Sequence, residues 1–240
     1  MEDEYLFISD CHVDASNPEI ARNLIEFLQG RASKARCLYI LGDLFEVWLG
    51  DDDPAVQHQP LLTALAQLGK NTQLFFLAGN RDFLVGRTFA EKINITILKE
   101  PHCLQLDGNP VLLMHGDSLC TDDHDYQQFR QLVRSAHWQS EFLAKPLIER
   151  QQIAAKLRTD SAAAMLAKVT EIMDVNEAAV ANCFDQFSTS TIVHGHTHRP
   201  AVHRYSGGKT RIVLGDWQPA TSYLSWSASA GFNLVDERVN

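Results

Sequence analysis

The sequence predicts an α/β fold with mixed sheets, and three observations carry that prediction. Short apolar runs rich in β-formers, YLFIS, CLYILG, QLFFLAG and PVLLMHG, each stop at a polar cluster, as buried strands do. Stretches with helical spacing alternate with the first of these runs, which predicts parallel βαβ units with right-handed crossovers. The C-terminal part instead alternates about turn signals, VHRYSGGKTRIVLG and then TSYLSWSASAGFNLVD, so hairpins are expected there and the chain ends antiparallel.

Between the first two strand-like runs, Ile20, Leu24, Ile25 and Leu28 fall on one helical face behind Asn17, a candidate cap, and Pro18. A weaker helix covers PLLTALAQL. From about Asp125 to Glu171 the character changes to a long helical tract with Phe129, Leu132, Val133, Trp138, Phe142, Leu143, Leu147 and Ile148. Basic residues concentrate in the same tract: Arg130, Arg134, Lys145, Arg150, Lys156, Arg158 and Lys168. Amphipathic helices with a solvated face explain this pattern. A helical lid, residues 125–171 inserted within one domain spanning 1–240, explains it as well. A further helix, NEAAVANCFDQF, leads back to the strand-like STIVHG.

The chain has 240 residues, long enough for a sizeable core. Its 21 Lys+Arg against 30 Asp+Glu leave a formal charge of −9, which argues against a general electrostatic grip on nucleic acid. An anionic substrate must then meet local positive charge, and divalent cations would supply it while explaining the surplus of carboxylates. Five cysteines, Cys11, Cys37, Cys103, Cys120 and Cys183, are scattered without a C-x-x-C pair, the usage expected of reduced residues in a cytoplasmic protein. The acidic N-terminus does not read as a signal peptide, and no apolar stretch approaches the ~20 residues of a membrane span.

The chemistry lies where the runs end. FIS leads to Asp10-Cys11-His12, YIL to Gly42-Asp43, FFLA to Gly79-Asn80-Arg81-Asp82, VLLM to His115-Gly116-Asp117, and TIV to His194-Gly195-His196-Thr197-His198. Each piece alone is weak: D-x-H also caps helices, Gly-Asp is a common turn, and HGHTHRP could be a solvated polar turn. Together, five runs each deliver a carboxylate, amide or imidazole at the end where open α/β sheets place their sites. Oxygen ligands from Asp10, Asp43 and Asn80, mixed with imidazoles from His12, His115, His196 and His198, suit Mn²⁺, Fe²⁺ or Zn²⁺ better than Ca²⁺. Seven ligands exceed the needs of one ion with an open position; a pair of ions sharing a carboxylate would employ them all. That arrangement serves hydrolysis of a phosphoester or phosphoanhydride.

This ordered series resembles the calcineurin-like metallophosphoesterases. The resemblance implies two β-sheets packed as a sandwich and flanked by helices. It also implies two divalent metal ions, taken as Mn²⁺, one held by Asp10, His12, Asp43 and His198 and the other by Asp43, Asn80, His115 and His196, with Asp43 as the bridge. Asp43, Asn80, Arg81 and His115 become the catalytic set. Many members carry a histidine after the Gly-Asn pair; Arg81 stands there instead, and a guanidinium offers fixed bidentate recognition of phosphate oxygens. His194 has no ligand role in this scheme, which leaves it a supporting hydrogen bond. Asp82 and Asp117 are placed to orient Arg81 or His115. Trp48 and the acidic Asp51 to Asp53 could shape a rim, though a solvated loop accounts for them more simply.

Within that family, GDLFEVWLGDDD, GNRDFL, HGDSLCTDD and HGHTHRP resemble the branch that hydrolyses UDP-2,3-diacylglucosamine in lipid A biosynthesis. What this implies is water attack on the α-phosphorus, releasing UMP and 2,3-diacylglucosamine 1-phosphate (lipid X). It further implies substrate contacts from Asn80, Arg81, Asp123, Ser161, Met165, Lys168 and His196, although Met165 stands where an asparagine is expected. The setting implied is the cytoplasmic face of a Gram-negative inner membrane, held peripherally, with an acylated UDP-sugar as substrate and neither nucleic acid nor an obligate protein partner. Phe129, Val133, Trp138 and Phe142 would line an acyl slot, and core packing explains the same positions. Two other readings stay open from the residues alone: a phosphoesterase of the same architecture acting on other phosphoesters, and a metal-free binding module.

Overall fold

The computed structural model of the chain describes residues 3–167, 174–218 and 221–239. In chain order the main elements are β1 (Tyr5–Ile8), α1 (Pro18–Gln29), β2 (Cys37–Leu41), α2 (Gln59–Leu68), β3 (Gln73–Leu77), α3 (Arg87–Ile93), β4 (Ile95–Ile97), β5 (His102–Leu106) and β6 (Asn109–Leu113). Then follow α4 (His124–Val133), α5 (Ala136–Leu143), α6 (Leu147–Ala167), α7 (Glu177–Gln186), β7 (Thr191–His194), β8 (Ala201–Arg204), β9 (Thr210–Val213), β10 (Tyr223–Ser227) and β11 (Gly231–Val235).

The strands form two mixed sheets, ordered β11-β10-β1-β2-β3-β4 and β5-β6-β7-β9-β8. In the first, β1 to β4 run parallel and the β10–β11 hairpin joins antiparallel to β1. In the second, β6, β7 and β9 are parallel, with β5 and β8 antiparallel at the edges. Strand β2 shows why its sequence is apolar throughout. Cys37, Tyr39 and Leu41 face the second sheet, in one buried cluster with Phe7, Leu77, Val111, Leu113, Val193 and Ile212. Leu38 and Ile40 face the other way, against Leu24 and Leu28 of α1, Leu65 of α2 and Phe89 of α3. Side chains alternate across a strand, so a strand covered on both faces needs apolar residues at every position. On the far side, α7 covers the second sheet through Val180 and Phe184 against Leu112 and Ile192. The predicted hairpins and the two-sheet sandwich are both present.

The long helical tract resolves into α4, α5 and α6 between β6 and β7. Ser135 breaks the first junction and caps α5 by accepting a bond from the Trp138 N–H. Trp138 stacks on Phe142 with centroids 4.8 Å apart, and Phe142 is buried in the cluster beneath α1 to α3. Arg150 of α6 is 1% exposed and donates to the Leu49 carbonyl and the Asp52 carboxylate. These helices and the loop after β2 bound a cleft of about 300 Å³. Among the described residues no helix is long and apolar enough to cross a membrane.

Three elements escape the sequence patterns. Strand β4 has only three residues, β5 alternates exposure with a histidine and a glutamine among its residues, and α3 has seven residues; none is long enough for a periodicity to stand out. Asn17 does sit at the start of α1, but its side chain makes no capping bond; its backbone N–H instead donates to the Asp14 carbonyl.

Candidate metal centre

The carriers of the predicted ligands are β1, β2 and β3 of the first sheet and β6 and β7 of the second. They are not successive, because β4 and β5 intervene, but their C-terminal ends meet at one edge of the sandwich. Immediately beyond these strands the backbone turns sharply. Asp10 (φ 53°), His12 (48°), Asp43 (52°), His196 (67°) and His198 (54°) all lie in the left-handed region, which costs a non-glycine residue ~1–3 kcal/mol and persists where the surroundings over-determine it. Two glycines make room for the approach. A Cβ on Gly79 would fall 2.1 Å from Asp43 Oδ1, and one on Gly195 would fall 2.1 Å from Asp10 Oδ2.

The two carboxylates are used alike. Asp10 accepts the His196 backbone N–H through Oδ2 at 2.8 Å, and Asp43 accepts the Arg81 backbone N–H through Oδ1 at 2.8 Å. The other oxygen of each faces a group of imidazole nitrogens. Asp43 Oδ2 lies 3.6 Å from His12 Nε2 and 3.7 Å from His115 Nε2, so one oxygen stands between two histidines. Asp10 Oδ1 lies 3.3 Å from His198 Nε2 and 3.8 Å from His12 Nε2, yet it is buried without a hydrogen bond of acceptable geometry. His12 Nε2 and His198 Nε2 face each other at 3.2 Å, and Asn80 Oδ1 is 2.9 Å from both His115 Nε2 and His196 Nδ1. An orphaned carboxylate oxygen and opposed ring nitrogens are costly unless positive charge lies among them. This donor set therefore fits divalent cations, and Asp10, His12 and His198, and Asp10, Asp43 and His115, each bring ligand atoms within 4.8 Å of one another.

The electrostatics agree. Burial pulls the His12 imidazole down, but hydrogen bonds to Asp10 and Glu46 and the nearby Asp43 charge outweigh it and raise it to about 10. Burial likewise opposes, and Asp43, Asp10, Asp117 and Glu100 overcome it, in raising His115 to about 9. His196 is lowered to about 4 by burial and by His115. At His12 and His115 the carboxylates thus hold protons where cations would bind, and the two compete for the same lone pairs. Asp10, Asp43 and His115 are buried, whereas the His12 and His198 side chains keep 19% and 38% exposure, so the cluster opens to one side.

All seven predicted ligands converge, and the remaining predicted residues divide. Arg81 lines the cleft with Asn80, its Nη1 3.6 Å from Glu46 Oε1. Ser161 lies on the same cleft wall. Asp123 caps α4, accepting the Tyr126 N–H at 3.1 Å. Met165 falls within α6, and its side chain and the whole of Lys168 lie outside the described residues. His194 is buried in a supporting role: it bonds the Gly195 carbonyl and meets Arg211 Nη1 at 3.1 Å.

Two expected orienting roles are corrected. Asp82 touches neither the Arg81 guanidinium nor the His115 ring; its carboxylate accepts the backbone N–H groups of Asp43, Leu44 and Gly79, stapling two ligand loops together. Asp117 accepts from Tyr126 Oη at 2.8 Å and Arg130 Nε at 2.7 Å, which ties the His115 loop to α4. The acidic loop is not merely solvated either: Asp51 accepts the Trp48 indole N–H and the N–H groups of Gly86 and Phe89 at the start of α3, and Asp52 pairs with Arg150.

Sequence reasoning missed Glu46 and Asp216. Glu46 Oε2 is 2.9 Å from His12 Nδ1, and Asp216 Oδ2 is 3.7 Å from His198 Nδ1. Glu46 stands three residues beyond Asp43, a spacing that could have suggested a carboxylate beside the cluster; Asp216 carries no such local signal.

The calcineurin-like phosphoesterase profile matches residues 4–200. The chain is 47% identical over 228 residues to the UDP-2,3-diacylglucosamine hydrolase of Aromatoleum aromaticum, covering 93% of each chain. It is 47% identical over 223 residues to the protein of that name from Klebsiella pneumoniae, covering 91% of this chain and 93% of the relative. A dimetal phosphatase from Danio rerio shares the fold, with a TM-score of 0.51 at 15% identity over 94% of this chain and 92% of that one. On these matches and on the ligand geometry above, the chain belongs to the calcineurin-like phosphoesterase family and, within it, to the UDP-2,3-diacylglucosamine hydrolases.

Proposed function

We propose that the chain hydrolyses the pyrophosphate bond of UDP-2,3-diacylglucosamine, with water attacking the α-phosphorus to give UMP and 2,3-diacylglucosamine 1-phosphate. The observation that carries the hydrolytic reading is the convergence of seven side chains of ligand type on one edge of the sandwich, with Asp43 Oδ2 between His12 and His115; the 47% identity to UDP-2,3-diacylglucosamine hydrolases supports the substrate. One ion would be held by Asp10, His12, Asp43 and His198, the other by Asp43, Asn80, His115 and His196, and Mn²⁺ suits this oxygen and nitrogen set. When bound, such a pair supplies positive charge to phosphoryl oxygens and lowers the pKa of water.

The chain's own groups do the rest. Asp43 would serve both cations, while the Arg81 N–H keeps its Oδ1 fixed. Arg81 binds the substrate phosphate from the cleft wall, where its fork matches phosphate oxygens. Because Arg81 replaces a histidine, no side chain is assigned to protonate the leaving group, and a phosphomonoester leaves without that help. Asn80, His196, Asp123, Ser161, Met165 and Lys168 contact the nucleotide and sugar.

The helices α4 to α6 form a lid over the cleft within a single domain, and its apolar lining, including Trp48, Phe83, Phe129, Val133, Trp138 and Phe142, receives the acyl chains. Phe129, Leu132, Leu143 and Ile148 are exposed on these helices, a surface suited to peripheral contact with the cytoplasmic face of the inner membrane. The test compares hydrolysis of UDP-2,3-diacylglucosamine, UDP-N-acetylglucosamine and a simple phosphodiester, each with Mn²⁺ and with chelator. The diacylated substrate should turn over fastest and only with metal; equal rates on all three would remove the lipid assignment.

A further inference from the structure

Glu46 touches two parts of the site that the proposed function treats separately. Its backbone is fixed beside the His12 loop: Val13 and Phe45 form a parallel bridge, and the Glu46 N–H donates to the Val13 carbonyl at 3.2 Å. From there Oε2 reaches His12 Nδ1 at 2.9 Å while Oε1 faces Arg81 Nη1 at 3.6 Å. A carboxylate only accepts, so Nδ1 of His12 carries a hydrogen toward Glu46, and loss of the second proton would free the Nε2 lone pair for a cation beside Asp43 and Asp10. On the other side, Arg81 Nε is buried without a hydrogen bond, and among the described residues Glu46 is the carboxylate within ion-pair distance of this guanidinium. Glu46 is itself about a quarter exposed and lines the cleft, a position with little core packing to account for it.

We infer that Glu46 is a positioning residue with two outputs: Oε2 sets the tautomer and orientation of His12 toward its cation, and Oε1 holds the Arg81 guanidinium at the wall where the substrate phosphate enters. This inference rests on the ligand and phosphate roles proposed above. A partner that orients a ligating imidazole characteristically changes metal affinity ~10–100-fold when removed. The two outputs also need different chemistry. His12 requires an acceptor, which a glutamine carbonyl provides, whereas Arg81 requires a negative charge, which it does not.

The test uses the full chain as wild type, Glu46→Ala, Glu46→Gln and, as a reference, His12→Ala. Mn²⁺ binding is titrated by calorimetry and by electron paramagnetic resonance of the free ion, and KM for UDP-2,3-diacylglucosamine is measured at saturating Mn²⁺. Glu46→Ala should weaken one of two Mn²⁺ sites ~10–100-fold, the same site that His12→Ala removes, and Glu46→Gln should restore most of that loss. Both Glu46 variants should raise KM several-fold, because neither replaces the charge facing Arg81. Wild-type Mn²⁺ binding in Glu46→Ala, equal weakness in Gln and Ala, or an unchanged KM in both would overturn the inference while the two-ion reading stood. Wild-type protein that binds fewer than two Mn²⁺ would instead remove the two-ion reading, and this inference with it.

Discussion

The half of the cluster built on Asp10, His12 and His198 is held from within the central sandwich, whereas the half built on Asn80 and His115 is braced by a helix outside it. In the first half, Asp10 is fixed by the His196 N–H and His12 by Glu46, both from loops at the strand ends. In the second, Arg134, which caps the C-terminus of α4, donates to the Gly79 carbonyl at 2.9 Å and lies near the Ala78 carbonyl at 3.3 Å, directly before Asn80. Arg130 of the same helix pairs with Glu100 and Asp117, and Glu100 in turn accepts the His115 N–H at 2.7 Å. The difference teaches that α4 serves the cleft on one side and the second ligand set on the other, so a disturbance of the cleft helices reaches Asn80 and His115 before it reaches His12 and His198.

Substitutions at three positions break or sharpen this contrast. Asp43→Ala removes the oxygen common to both halves, so both Mn²⁺ sites should weaken and turnover should fall by about 10²–10³-fold or more while circular dichroism stays native; wild-type turnover would end the shared-carboxylate model. Arg134→Met should act on one half only. It removes the brace on the turn before Asn80, and a Mn²⁺ titration should show one site weakened ~10–100-fold with the other preserved. Arg134→Lys, which retains a donor, should recover part of the loss, and equal weakening of both sites would erase the asymmetry. The smallest effect belongs to Asp123, whose carboxylate caps the N-terminus of the helix that carries Arg130 and ends at Arg134. Asp123→Ala should cost ~1 kcal/mol in thermal or denaturant unfolding and Asp123→Asn much less. A KM for the diacylated substrate that rises in Asn as much as in Ala would show that the carboxylate contacts substrate as well as capping.

The cluster was legible in the sequence because its ligands follow apolar runs that are long and β-rich, and a strand end is a local event. The helices α1 and α7 were legible for a similar reason, their apolar spacing being repeated over several turns. Strands β4 and β5 and helix α3 were not, since three to seven residues carry too little periodicity and α3 draws its N-terminal support from Asp51, 35 positions upstream of Gly86. The roles of Asp82 and Asp117 were misread for a related reason. Adjacency in sequence to Arg81 and His115 suggested side-chain partners, but a buried carboxylate is satisfied by whatever donors surround it in space, and here those are backbone N–H groups and α4 side chains.

The sequence by itself determined the identity and order of the seven side chains that converge at the strand ends, the runs of strand and helix that carry them, and the chemistry those residue types can perform. Only the tertiary structure decided which oxygen of each carboxylate faces the ring nitrogens, that Glu46 stands behind His12, and that Arg130 of α4 and Arg134 at its end hold the loops of His115 and Asn80. The physical reason is range. Residue type and short periodicity are written locally, whereas orientation at the cluster depends on contacts such as Asp10 with the His196 N–H, 186 positions apart, which exist only once the two sheets have closed face to face.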